Sequence, residues 1–346
     1  MSRPPAIRVL LVDDSAFMRI ALRRIVETEG DLTVVGEAAD GVAAIAEAAR
    51  LSPDVVVMDV AMPRLDGLAA TRRILEQADP PAVVMVSAHT RDGSEIAIQA
   101  LEIGAVDYLW KDSGDGGPDL ARLDRELRPL LRHWSQRRRE ASPPDRARIV
   151  PRRARAEPPD LLLVGASTGG PDALATFLAA LGPIGVPCIV AQHMPADLGT
   201  DFVRHLARRT GLPITLGEHG AAPRPGSITI LPGGTDGTLV RRNAGFVLRL
   251  EATDAYAHPS VDLLFRSAAM VARNAIGVVL SGMGSDGTAG AAELARRGMP
   301  VFAQSPESCV VAGMPRTVLA AGLAAGSADP AGLARKVAAL LPDIPG

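Results

Sequence analysis

Leu161-Leu162-Leu163-Val164-Gly165-Ala166-Ser167-Thr168-Gly169-Gly170-Pro171 runs from four large apolar residues through a glycine-rich turn to a proline. A short unbroken apolar run reads as a strand buried on both faces. The glycines mark the turn, and Pro171 suits the first turn of a following helix. The pattern is therefore one β-α unit with a serine at its lip. It recurs downstream: Pro187-Cys-Ile-Val-Ala-Gln-His193 and Gly277-Val-Val-Leu-Ser-Gly-Met-Gly-Ser-Asp286-Gly also pass from an apolar run to a polar residue at its end. Strands are expected at residues 161–164, 189–191, 228–231, 278–280 and 301–303, with periodic helical stretches between them. Residues 241–250, which contain Asn243-Ala244-Gly245, read as a hairpin.

The same alternation fills the N-terminal part. Strands are expected at residues 8–12, 32–36, 55–58, 83–86 and 106–109. Repeated β-α units indicate a parallel, doubly wound sheet. The predicted fold class is thus α/β, with two doubly wound domains: a flavodoxin-like one over 1–132 and a Rossmann-like one with an antiparallel hairpin over 160–346. Between them, residues 133–159 hold Arg137-Arg138-Arg139, Pro143-Pro144, Arg152-Arg153 and Pro158-Pro159 and read as a linker.

With 346 residues the chain is long enough for two cores. A net charge of −2 offers no global field for nucleic acid or membrane. The linker arginines lack the aromatic residues that stack on bases, so no nucleic-acid partner is expected. Cys188 and Cys309 are too few for a disulfide framework. No signal peptide or membrane-spanning run is read, so no membrane insertion is expected and a cytoplasmic location is.

Two sites are expected at strand ends. In the first domain Asp13 and Asp14 follow the first strand and Asp59 ends the third. Those strands are neighbours at the switch point of a flavodoxin-like sheet, where ligands bind. Three converging carboxylates suit a hard divalent cation such as Mg²⁺. Ser87 and Lys111, after the fourth and fifth strands, could hold phosphoryl oxygens. In the second domain Ser167, His193 and Asp286 offer a nucleophile, a base and its orienting carboxylate. The backbone at Met283 and the neighbouring Thr168 are candidate donors to an oxyanion. Alternatives stand beside this. His258, in His258-Pro-Ser-Val-Asp262, could serve as base in place of His193, and the glycine turn could cradle a phosphate in a non-catalytic adaptor.

The motifs Val-Asp13-Asp14-Ser, Met-Asp59-Val-Ala-Met-Pro-Arg-Leu-Asp-Gly, Val-Ser87-Ala and Lys111 resemble the response-regulator receiver family. The resemblance implies that Asp59 accepts phosphate from a histidine kinase. It also implies that Asp13, Asp14, Asp59 and the carbonyl of Ala61 hold Mg²⁺, that Ser87 and Lys111 sense the phosphate, and that Tyr108 is the switch aromatic. Asp112 stands where the family usually has a proline after a cis bond. That bond costs about 2.5–4 kcal/mol before other residues, so a trans peptide is expected. With Gly-Ala-Ser167-Thr-Gly-Gly-Pro, Ala-Gln-His193-Met-Pro, His258-Pro-Ser-Val-Asp-Leu-Leu-Phe, Ser-Gly-Met-Gly-Ser-Asp286-Gly-Thr and Val-Phe-Ala-Gln304, nearly the whole chain resembles the chemotaxis protein-glutamate methylesterases. This resemblance selects His193 over His258. It implies hydrolysis of glutamyl methyl esters on chemoreceptors, with release of methanol and deamidation of receptor glutamines, needing no cofactor for the hydrolysis itself. It further implies control through receiver phosphorylation. Leu231-Pro232, with no histidine after it, departs from the family's usual Ala-Pro and bears on substrate-loop detail.

Overall fold

Short apolar runs that must be covered on both faces assemble here into two parallel sheets, each in its own unit, residues Met1–Arg139 and Glu140–Gly346. The structure is a computed structural model and describes residues 6–88, 93–112, 117–140, 157–242, 245–252 and 257–342.

The first unit alternates β1 (Ile7–Val12), α1 (Ala16–Glu27), β2 (Leu32–Ala38), α2 (Gly41–Leu51), β3 (Val55–Asp59), α3 (Gly67–Leu75), β4 (Ala82–Ser87), α4 (Gly93–Ile103), β5 (Asp107–Trp110) and α5 (Leu120–Glu140). The parallel sheet has the order β2-β1-β3-β4-β5. Val9–Val12 of β1 and all residues of β3 and β4 are buried, as helices on both faces require. Ser15, Asp40 and Asp66 start α1, α2 and α3 by accepting backbone N–H bonds, the usual use of such residues at an N-cap. Because β1 and β3 are neighbours, their carboxyl ends set Asp13 and Asp59 side by side.

The linker begins later than the composition suggests. Helix α5 continues past Arg132, and Leu127, Leu130, Leu131 and Trp134 form its buried stripe. Trp134 donates from Nε1 to Asp107 Oδ2 at 3.1 Å, tying the last turns of α5 to β5. Arg138, within the run that reads as linker, lies on this helix and pairs with Asp79. The expected start at 133 is therefore corrected: the helix runs on to Glu140. Residues 141–156 of the expected linker lie outside the described residues, as do the hairpin residues 243–244.

The second unit contains β6 (Leu161–Ala166), α6 (Gly170–Leu181), β7 (Cys188–Gln192), α7 (Gly199–Thr210), β8 (Ile214–Leu216), β9 (Ile228–Ile230), β10 (Asp236–Arg242), β11 (Gly245–Glu251), α8 (Val261–Val271), β12 (Ala275–Val279), α9 (Thr288–Arg296), β13 (Val301–Gln304), α10 (Gly313–Ala320), β14 (Gly326–Ala328) and α11 (Pro330–Ala338). Seven parallel strands take the order β14-β13-β12-β6-β7-β9-β8. The hairpin β10–β11 is antiparallel, as expected, and starts earlier than expected, with Asp236 opposite Glu251. Its inner face (Leu239, Phe246, Leu248) packs with Leu264 and Phe265 of α8 in one core. The edge strands β8 and β14 are absent from the sequence reading. Each has three residues, of which Ile214 alone is buried, too short to show a period.

Candidate active site

Three adjacent strand ends bring the candidate triad together. Strands β12, β6 and β7 are neighbours, and Asp286, Ser167 and His193 follow them in that order across the sheet. At the end of β6 the His193 N–H donates to the Ala166 carbonyl at 3.0 Å, which continues the β6–β7 ladder by one residue. Gln192 then locks the turn: its Nε2 donates to the carbonyls of both Ser167 and His193 at 2.9 Å. Gly170 is required beside it, since an ideal Cβ there would stand 2.2 Å from Gln192 Oε1. Gly169 caps α6 in the left-handed region, with φ +69°.

His193 Nδ1 lies 3.0 Å from Ser167 Oγ, and Nε2 lies 2.8 Å from Asp286 Oδ2. All three side chains are buried. The carboxylate accepts at Nε2, so the neutral ring carries its proton there and turns the Nδ1 lone pair toward the serine. Asp286 is itself held. Its Oδ2 accepts from Val261 N–H at 2.9 Å, and its Oδ1 accepts from Asp262 N–H at 2.9 Å and Gly287 N–H at 3.0 Å. The first two donors belong to the first turn of α8, where the helix dipole favours a negative charge.

A second loop closes the site. Ser281 donates from Oγ to the Thr168 carbonyl at 2.7 Å, and its N–H donates to Gln304 Oε1 at 2.8 Å. Gly282 is bracketed by backbone bonds to Val311 and Met314. Among the described residues the N–H of buried Met283 makes no backbone hydrogen bond, and Thr168 Oγ1 is buried without a partner. Val310, at the rim against Gly169, is exposed.

The competing readings fare differently. His258 pairs through Nδ1 with Asp236 Oδ1 at 2.8 Å, while its carbonyl accepts from Met194 N–H. It is thus a neighbour of the site, engaged elsewhere. The glycine turn is a poor phosphate cradle, because the N–H groups of Ser167 and Gly170 already bond to the carbonyls of Ser281 and Ser167. Gln192, Ser281, Gln304 and Asp262 went unassigned in the sequence reading. The available signal was a polar residue at the very end of a fully apolar strand, as at Gln192 and Gln304.

In the first unit the carboxylate oxygens of Asp13, Asp14 and Asp59 lie within 4.8 Å of one another. Lys111 Nζ stands 2.7 Å from Asp13 Oδ2 and 2.7 Å from Asp59 Oδ1. Burial raises the Asp59 carboxyl above the usual carboxylate range, against the pull of Lys111. Burial opposes the charge on Lys111, and the two carboxylates outweigh it and hold the ammonium above its ordinary value. Lys111 N–H donates to the Ser87 carbonyl at 2.7 Å, which joins the ends of β4 and β5. Tyr108 is buried edge-on to Trp110 with ring centroids 4.8 Å apart. Ala61 lies in the exposed bend after β3. Gly67 admits α3 to this corner: an ideal Cβ there would fall 1.9 Å from the Asp59 carbonyl oxygen. The Lys111–Asp112 peptide is trans, as expected; among the described residues the one cis bond precedes Pro259.

The sequence matches the CheB methylesterase family over residues 162–337 and the response regulator receiver domain over residues 9–116. It is 38% identical to a protein-glutamate methylesterase/protein-glutamine glutaminase of Burkholderia lata, over 99% of this chain and 97% of the relative. It is 37% identical to a protein of the same description from Geobacter metallireducens, over 93% of this chain and 92% of that one. The chain belongs to the CheB methylesterase family. The CheB methylesterase catalytic domain of Thermotoga maritima superposes with a TM-score of 0.51 at 31% identity, covering 53% of this chain and 98% of that structure. Ser167, His193 and Asp286 all fall inside the CheB methylesterase match, and the acidic cluster with Lys111 falls inside the receiver match.

Proposed function

We propose that the chain is a protein-glutamate methylesterase that hydrolyses glutamyl methyl esters of chemoreceptors in chemosensory adaptation and deamidates receptor glutamines. The relay Ser167–His193–Asp286, with contacts of 3.0 and 2.8 Å, carries this reading. Ser167 Oγ attacks the ester carbonyl while Nδ1 of His193 takes its proton. Asp286 stabilises the imidazolium through the Nε2–H bond. The oxyanion is met by the Met283 N–H, with Thr168 beside it. His193 returns the proton to the departing methoxide, and methanol leaves. Water, deprotonated by His193, then cleaves the acyl-enzyme to the glutamate carboxylate. With a glutamine substrate the same steps release ammonia.

Control is assigned to the first unit. Asp59 accepts phosphate from a histidine kinase, and Ser87, Lys111 and Tyr108 respond to it. The donor set fits Mg²⁺: three carboxylates facing one ammonium leave an excess of negative charge, and every donor is a hard oxygen. Asp13, Asp14, Asp59 and the carbonyl of Ala61 would hold the ion, which would neutralise charge on the transferring phosphoryl group. No helix among the described residues is long and apolar enough to cross a membrane, and the enzyme is assigned to the cytoplasm, where receptor glutamates and kinase would be met. The test is methanol release from methylated receptor fragments, with and without acetyl phosphate and Mg²⁺, beside Ser167→Ala. Release that requires Ser167 and rises with the phosphodonor is expected. Equal release by Ser167→Ala refutes the mechanism.

A further inference from the structure

The side chains of the segment His258-Pro-Ser-Val-Asp262 take no part in the relay, yet the segment surrounds its far end. Asp286 lies just before α9 and places its carboxylate at the N-terminus of α8. Asp262 lies in the first turn of α8 and does the converse: its Oδ1 accepts from Gly290 N–H of α9 at 2.7 Å. Each helix thus receives the other's carboxylate at its positive end. The exchange needs close approach, and Gly290 permits it; an ideal Cβ there would stand 2.5 Å from Phe265 Cβ and 3.0 Å from the Asp262 carbonyl oxygen. The turn before α8 is fixed independently. Asp236 Oδ1 accepts from both His258 Nδ1 (2.8 Å) and Ser260 N–H (2.7 Å), and Ser260 caps α8 at Leu263 N–H.

We propose that Asp262 is a positioning residue of the hydrolytic site, which closes this reciprocal exchange and sets a second negative charge behind Asp286. It touches neither substrate nor the reacting atoms. It acts on His193 through Asp286: a carboxylate backed by another carboxylate holds the Nε2 proton more strongly and makes Nδ1 a better base. The ionisable groups facing it are Asp286 and, one turn along α8, Arg266, with the Gly287 and Gly290 N–H groups at its oxygens. Burial and Asp286 push the Asp262 carboxyl up to about 6, so its charge is present at neutral pH and fades below it.

This inference rests on the proposed esterase mechanism, so its test reads Ser167 without a receptor substrate. The rate at which a fluorophosphonate labels Ser167 in the full-length chain is followed against pH, with the thermal midpoint of each variant. Asp262→Asn can still accept the Gly290 N–H bond but lacks the charge. Its labelling rate is expected to fall about tenfold, the equivalent of about one unit in His193 basicity, with the acid limb moved to lower pH and the midpoint undiminished. Asp262→Glu, which keeps the charge, is expected to restore the limb. Exposed Arg266, which holds the Asp262 carboxyl down, supplies a variant remote from the fold's core: Arg266→Gln raises that carboxyl further and should move the limb to lower pH, as Asp262→Asn does. A wild-type limb and rate in Asp262→Asn, or an unmoved limb in Arg266→Gln should Asp262→Asn fail to fold, overturns the proposal. A lowered midpoint with an unmoved limb also overturns it, by reducing Asp262 to a structural role. Absence of labelling in the wild-type chain overturns instead the assignment of Ser167, and this inference with it.

Discussion

As the proposed nucleophile, Ser167 depends on where one imidazole proton resides. Asp286 is an acceptor only, so it keeps that proton on Nε2 and leaves Nδ1 open to the serine. Asp286→Asn presents an amide that can donate to Nε2, which favours the opposite tautomer. Turnover measured as methanol release is expected to fall about 10³–10⁴-fold, with folding retained. Ser167→Ala should fall by several orders of magnitude as well. Asp262 supplies a stability prediction with a definite sign. Its folded-state carboxyl is raised to about 6, above the ordinary value for aspartate. The stabilisation from holding that proton is complete below the ordinary carboxylate range and is lost as pH rises through about 6. Asp262→Asn should therefore melt above the wild type at pH 8, and the difference should vanish toward pH 4 in calorimetry. The three relay residues stand in the sequence at the ends of apolar runs. Gln192 ends such a run and Asp262 opens a helix, but their tasks depend on Gly290, Ser167 and Asp286, partners that leave no local pattern.

At the scale of elements, α5 and the loop of Gly282 are the informative cases. The arginine-rich segment reads as linker because its polar face outweighs its apolar stripe. Trp134 reveals the helix once β5 is beside it, and Trp134→Ala is expected to destabilise the first unit by about 3–5 kcal/mol in denaturant unfolding. A polar or flexible linker from residue 133 would instead show no change. Gly282 sits where chain segments meet: an ideal Cβ would stand 2.2 Å from Met314 Sδ and 2.9 Å from Ser167 Cβ. Gly282→Ala should thus displace Ser167 and depress fluorophosphonate labelling, at an overpacking cost of about 1–3 kcal/mol. Both helices and central strands were legible because their residues repeat with a period. The edge strands β8 and β14 were not, since three residues are too few to show one.

For the whole molecule, each unit has its own sheet and core, so residues 1–140 and 157–346 expressed separately are expected to fold, each with one cooperative transition. Mg²⁺ should raise the midpoint of the first piece, since an ion bound to the native state alone stabilises it by mass action, and a chelator should reverse the shift. An unmoved midpoint at saturating Mg²⁺ would count against the acidic cluster as a metal site. That the chain is α/β in two parts, and which polar residues close its strands, can be read along one dimension, because strand burial writes apolar runs and turns demand glycine. Which strands are neighbours is set by packing in three dimensions. The order β12-β6-β7 brings residues from positions 167, 193 and 286 within hydrogen-bond reach. It also seats each of two carboxylates on the other's helix, where backbone N–H groups and a second charge act over distances that spacing along the chain does not encode.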